Sequence, residues 1–334
     1  MAEQNAEDLH LDDFTAQLGA GPVPKYYGEA LAELGAERPD IVCLCADLTP
    51  ATETDVFRDR FPDRFVMTGI AEANMVGVAS GMARMGDVPF VHSFSVFLTR
   101  RVYDQVAMQL AYPKTNVKLV GFLPGLTTLL GVSHQAIDDV ALMRALPNMT
   151  IIEPCGTEQV AAAVRAAAEH VGPVYLRMIR APAPLADDAK LLDLQIGKGQ
   201  VFRSGTDVAI FASGLMVDKA MAAADQLATG GIEASVVNLH TIKPLDEQLV
   251  CELAGSCGAV VSAENHLMIG GLGDAISQTL QEQNVHVPMT RVGIADTFAE
   301  GGSTPYLFNK YGLDIEHIVA AAQKAVATKS TLAS

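Results

Sequence analysis

Two doubly wound α/β domains are what this sequence predicts, and three features carry the reading. The chain has 334 residues, more than one compact domain usually holds. Short runs rich in Val, Ile and Phe alternate with helical patterns along almost all of it. Those runs are apolar nearly without interruption, as strands are when helices cover both faces of a mostly parallel sheet.

Taken in order, residues 1–20 are acidic and lack the apolar core of a secretory signal. They read as a tail, either disordered or in contact with a partner. A first domain is expected over 21–183, with strands at IVCLCAD (41–47), FVMTGI (65–70), VPFVHSF (88–94), VKLVGFL (117–123), TIIEPC (150–155) and VYLRMI (174–179). Between them lie helix patterns such as EANMVGVASGMARMG, RRVYDQVAMQLAY and TEQVAAAVRAAAEHV. The stretch APAPLADDAKLLDLQIGKGQVF, with its proline-rich opening and polar centre, places a linker at 184–205. A second, smaller domain is expected over 206–328, with strands at DVAIFASG (207–214), ASVVNLHTIK (234–243), AVVSAEN (259–265) and VPMTRVGI (287–294), then a last helix, DIEHIVAAAQKAVA.

Composition excludes several functions. A formal net charge of −16 argues against a surface for nucleic-acid phosphates, so no nucleic acid is expected as a partner. No apolar run reaches the length of a membrane span, so no membrane is expected either. The five cysteines, Cys43, Cys45, Cys155, Cys251 and Cys257, are odd in number and lack a paired zinc spacing. Reduced thiols in a cytoplasm, with no metal bound by this chain, are the expectation.

Glu72 is the residue that asks for an explanation. It follows a strand, opens a helix of small and apolar residues, and meets no Lys or Arg until Arg84. Neighbours on a helix are three or four positions apart, so no local cation can pair with it. It is either a first-turn acid favoured by the helix dipole or one half of a pair made elsewhere. Gly270-Gly271-Leu272-Gly273 could cradle an anion or let helix and strand pack closely. Asp47, in Asp47-Leu48-Thr49-Pro50, ends the first strand and could bind a ligand or cap the next helix.

The stretch GIAEANMVGVASGMARMGDVPFVHSFSVFLTRRVYDQV resembles the pyrimidine-binding domain of the transketolase family of thiamine-diphosphate enzymes, and GVSHQAIDDVALMRALPNMTIIEP continues it in order. The later IADTFAEGGSTPYLFNKYGLD resembles the end of that family's carboxy-terminal domain, so the likeness covers about 24–327. It implies that Glu72 holds the N1′ nitrogen of the cofactor's aminopyrimidine and promotes the tautomer that takes the thiazolium C2 proton. Phe94 and Phe97 match the aromatic wall for the pyrimidine. Asp47 and Leu48 would border the thiazolium, and His134 would lie over it and move substrate protons. Thiamine diphosphate is thus the implied cofactor.

The family's Gly-Asp-Gly and asparagine signature, which holds the diphosphate and Mg²⁺, lies in a domain outside this sequence. The resemblance therefore implies a split enzyme, with a separate N-terminal subunit binding most of the diphosphate and Mg²⁺, assembled as an α₂β₂ heterotetramer. The implied activity transfers a two-carbon ketol unit from a ketose to an aldehyde. Substrate positions depart from the family's pattern. Phe122 or Leu123 stands near a histidine's place, Leu129-Leu130 replace an acidic pair, Glu153 a phosphate-binding arginine and Ala51 a serine. Exchanging cation for anion beside a phosphate reverses an interaction of about 1 to 4 kcal/mol. A modified ketose, such as a branched sugar phosphate or a sulfosugar, is expected, with Lys25, His92, Arg100 and Arg101 as candidate anion-binding groups. A 2-oxoacid dehydrogenase β subunit, a deoxyxylulose-phosphate synthase-like chain and a noncatalytic regulatory subunit are the rival readings.

Overall fold

A computed structural model of the chain describes residues 25–179 and 192–332. The expected tail over 1–20 and the first part of the expected linker, 184–191, lie outside the described residues. Twelve strands form two sheets among those described. The first holds β1 (Ile41–Cys45), β2 (Phe65–Met67), β3 (Val88–Phe94), β4 (Lys118–Phe122), β5 (Thr150–Ile152) and β6 (Val174–Met178), joined by β10 (Thr241–Lys243). The second holds β7 (Gln200–Arg203), β8 (Val208–Ala212), β9 (Ala234–Asn238), β11 (Val260–Leu267) and β12 (Met289–Ile294).

Sheet order is β2-β1-β3-β4-β6-β5-β10 in the first and β12-β11-β8-β9-β7 in the second. Every pairing is parallel except those of the two edge strands β10 and β7. Burial follows from the apolar runs: β1, β3, β4, β5, β6, β8 and β9 are buried at every position. Such strands need helices on both faces, and the helices between them supply small and apolar faces. In the first sheet β2 lies on one side of β1 and β3 on the other. Crossovers therefore part company at β1, leaving a crevice at the carboxyl edge where open α/β sheets bind ligands.

Two expectations change. The segment 234–243, read as one strand, divides at Leu239-His240: β9 stays in the second sheet and β10 pairs antiparallel with β5 in the first. Backbone bonding divides it, since the Leu239 amide donates to Ala212 while the Glu153 amide donates to the His240 carbonyl. A single hydrophobic cluster accordingly contains Val91 and Ile151 as well as Phe211 and Val237. The end of the expected linker is also structured, because Gln200–Arg203 forms the edge strand β7 against β9.

Candidate active site

Glu72 begins the helix Glu72–Arg84, which follows β2 through a turn where Gly69 adopts a φ of 69°. Met75, Val76, Ala79 and Ser80 bury one face of that helix and fix its first turn at the carboxyl edge of the sheet. Glu72 is only 2% exposed. Its carboxylate is paired after all: Arg101 Nη1 donates to Oε1 at 2.8 Å and to Oε2 at 2.9 Å, and Ser93 Oγ donates to Oε1 at 3.3 Å. Sequence spacing along one helix could not show this cation, because it arrives 29 residues downstream.

The aromatic wall stands beside this pair. Phe94 ends β3 and Phe97 lies in the short helix Ser95–Thr99, with ring centroids 6.0 Å apart. His134 meets both edge-on, 6.0 Å from Phe94 and 5.3 Å from Phe97. Arg101 lies over Phe97, with Cζ 3.9 Å from the ring centre. Burial, and then the Arg101 charge, lower the pKa of His134 from its ordinary 6.5, so the imidazole is neutral at pH 7. Its Nδ1 is 2.9 Å from Ser133 Oγ. One carboxylate, two flat apolar rings and a neutral imidazole thus converge from three separate stretches of sequence.

Asp47 and Leu48 follow β1 on the same edge. Asp47 is exposed and holds a φ of 58°, an uncommon conformation for a residue with a Cβ, and its amide faces Met67 Sδ at 3.2 Å. Leu48 is half-buried against the core.

Three residues expected to bind anions are engaged elsewhere. His92 is fully buried: Nδ1 donates to the Leu44 carbonyl at 2.9 Å, leaving Nε2 to accept from the Tyr27 hydroxyl at 2.6 Å. Burial lowers its pKa to about 4, so it is a neutral core histidine with no face for a substrate. Arg100 is held by Asp138 through Nε at 2.9 Å to each carboxylate oxygen, which braces the His134 loop against the aromatic wall. Lys25 pairs with Asp55. Glu153 likewise does not face a ligand. It is buried, 2.6 Å from Arg177 Nη1, and accepts from Ser213 Oγ at 2.6 Å. A cation inside the protein thus neutralises the carboxylate, so it gives no argument against a phosphate.

The Gly-rich turn also proves to be filled from within. Glu264 accepts from the amides of Leu272 at 2.6 Å and Gly273 at 2.9 Å, at the start of the helix Leu272–Glu282. A Cβ on Gly271 would stand 1.9 Å from Glu264 Oε2, so glycine is required for this approach. The turn does cradle an acceptor group, and the acceptor is a carboxyl side chain of the same protein.

The donor set fits an aminopyrimidine, with a buried carboxylate to hold a ring N–H and a phenyl face to carry the ring. Among the described residues, no group of three or more His, Cys, Asp or Glu could hold a metal ion. No helix among them is long and apolar enough to cross a membrane.

Comparison with known proteins decides the family. The transketolase pyrimidine-binding domain model matches residues 22–184, and the transketolase C-terminal domain model matches residues 197–318. The chain belongs to the transketolase family. It is 45% identical over 305 residues to the 6-deoxy-6-sulfo-D-fructose transketolase subunit SqwH of Clostridium sp. (strain MSTE9), an alignment covering 91% of this chain and 94% of that one. A putative transketolase C-terminal section of Methanocaldococcus jannaschii is 40% identical over 296 residues, covering 88% and 93%. Among solved structures, a split gene transketolase, described as an inactive beta4 tetramer, superposes with a TM-score of 0.85 at 44% identity. That match covers 91% of this chain and 98% of the other. These relatives are transketolase parts of this chain's own length, so its two sheets are the transketolase pyrimidine-binding and C-terminal folds.

Proposed function

We propose that this chain is the C-terminal subunit of a two-subunit, thiamine-diphosphate-dependent transketolase, transferring a two-carbon ketol unit from a ketose donor to an aldehyde acceptor. One observation carries the reading: Glu72, Phe94, Phe97 and His134 converge at the carboxyl edge of the first sheet. Likeness to transketolases made in separate parts supports an N-terminal partner subunit that binds the diphosphate and Mg²⁺. An α₂β₂ assembly in the cytoplasm is part of the proposal, and five free cysteines suit a reducing compartment. The domain limits proposed are 21–183 and 206–328, the second extended to take in its edge strand β7, with β10 crossing between them.

Thiamine diphosphate, when bound, supplies the electron sink that lets a ketose C2–C3 bond break. Glu72 holds and exchanges the proton at the pyrimidine N1′ edge, and burial keeps water from competing for it. Phe94 and Phe97 carry the ring. His134, neutral at pH 7, can accept a substrate proton and return it. Asp47 and Leu48 border the thiazolium side from the end of β1. The sulfofructose relative supports a sulfosugar ketose as the donor class, and Arg101 is the cation nearest the wall.

Co-expression with an N-terminal transketolase subunit, followed by a screen of ketose donors by product mass, tests the reading. Two-carbon transfer is expected from the assembled pair, and Glu72→Gln should lower turnover by about 10²-fold or more. Release of CO₂ from pyruvate in place of ketol transfer, or near-normal turnover of the glutamine variant, would overturn it.

A further inference from the structure

The guanidinium of Arg101 lies where the two halves of the proposed pyrimidine site meet. Its Nη1 bonds both oxygens of Glu72, and its Cζ sits over Phe97, 3.9 Å from the ring centre. That separation is van der Waals contact, which leaves no room for a second flat group on the same face. Phe94 and His134 reach Phe97 tilted or edge-on and so frame the ring without covering it.

We propose that Arg101 is the place-holder of the aminopyrimidine, neutralising Glu72 and covering Phe97 in the cofactor-free protein, alone or assembled, and leaving both when the ring binds. This rests on the reading of Glu72 and Phe97 as the pyrimidine site. Glu72 needs such a partner, because a buried carboxylate held only by the Ser93 hydroxyl would be costly. Arg101 can also leave cheaply. Its side chain is 44% exposed, whereas that of Glu72 is 2% exposed, so the guanidinium can turn into water while the carboxylate stays. The segment 100–102 lies in a turn beyond the helix Ser95–Thr99, outside regular helix or strand. An interaction made only in the free state subtracts from affinity, so removing Arg101 should tighten cofactor binding.

The sign of that effect separates a place-holder from a wall. The full chain, assembled with its N-terminal subunit, is titrated calorimetrically with thiamine diphosphate and Mg²⁺ as wild type, Arg101→Met and Arg101→Lys. The methionine variant should bind about tenfold tighter, equivalent to about 1.4 kcal/mol. Its thermal midpoint without cofactor should fall below that of the wild type, with the gap narrowing when cofactor is added. Arg101→Lys keeps the charge but not the plane, so it should fall between the two. If the methionine variant fails to fold, the lysine variant reads the same sign. Affinity unchanged or weakened in both variants overturns the place-holder and makes Arg101 part of the pocket wall. Failure of the wild-type assembly to bind thiamine diphosphate overturns the pyrimidine-site reading itself, and the place-holder with it.

Discussion

Burial of Glu264 against the glycine turn sets up a stability change with pH that can be worked through in sign and size. Burial raises this carboxyl from its ordinary 4.5 to about 7, although the Gly273 and Leu272 amides oppose the rise. Between those two pH values the unfolded chain has released the proton and the folded chain still holds it. The folded state therefore binds more protons, and stability falls as pH rises through this window. The whole loss, on the order of 3 kcal/mol, is in place once pH exceeds about 7. Other groups run the opposite way. His92 and His240 are both lowered to about 4 by burial, so their contributions favour folding as pH rises from about 4 to 6.5. The informative quantity is thus the difference between wild type and Glu264→Gln. The amide accepts at one oxygen where the carboxylate uses two, so the variant should start about 1 kcal/mol less stable at pH 4.5. Between pH 4.5 and 7.5 the wild type should lose about 3 kcal/mol more than the variant. Urea melts at half-unit pH intervals measure this. A difference constant to within about 1 kcal/mol across the window would refute the reasoning.

Three further outcomes are expected. Arg177→Met leaves Asp139 and Glu153 buried without the cation that touches them at 2.8 and 2.6 Å, and should cost about 3 to 5 kcal/mol in a denaturant melt; a cost under about 1 kcal/mol would mean those carboxylates take up protons instead. Phe97→Leu keeps an apolar residue but removes the flat face, so calorimetry on the assembled enzyme should show thiamine diphosphate binding weakened by up to about tenfold. The acid limb of kcat/KM in the assembled enzyme should fall below pH 6.5, because burial lowers His134. His134→Asn should abolish that limb, and a limb left in place would remove His134 from the proton pathway.

Legibility in the sequence followed the range of the interaction. Apolar runs marked the strands because a parallel sheet buried on both faces leaves no polar positions, and β3 occupies the very residues read for it, Val88–Phe94. Glu72, Phe94, Phe97 and His134 could be singled out by resemblance, and the fold brings them to one edge. Partners chosen by tertiary contact were hidden. Arg101 reads from the sequence as a substrate cation, and nothing in local spacing shows that it turns back onto Glu72. His92 looked available because it stands next to the wall in sequence. Strand alternation sends its side chain to the opposite face from that of Ser93, into a core with Tyr27. The division of 234–243 between two sheets was equally invisible, because β10 is chosen by the free edge of β5 rather than by its own residues.

Glu153 shows how a substituted charge can mislead when its neighbours are unknown. An anion where a cation is expected suggests a pocket that repels phosphate. Here Arg177 joins Glu153 to Asp139 and to the Asn265 carbonyl, with donor–acceptor distances of 2.6 to 2.8 Å. Asn265 in turn accepts the Leu126 amide through Oδ1 and donates to the Pro124 carbonyl. Gly125 packs so closely there that a Cβ would stand 2.2 Å from Asn265 Oδ1. The acid therefore belongs to a chain of buried contacts that fixes the loop after β4 against the second sheet. That loop leads through residues 126–133 to His134, whose neighbour Gln135 donates to the Glu300 carbonyl of the second domain at 2.9 Å. Glu153 can thus affect catalysis only by holding the domains in register. Glu153→Gln should accordingly destabilise the fold and displace His134 without altering which anionic sugar binds. A change in donor preference between phosphorylated and sulfonated ketoses at unchanged stability would contradict this account.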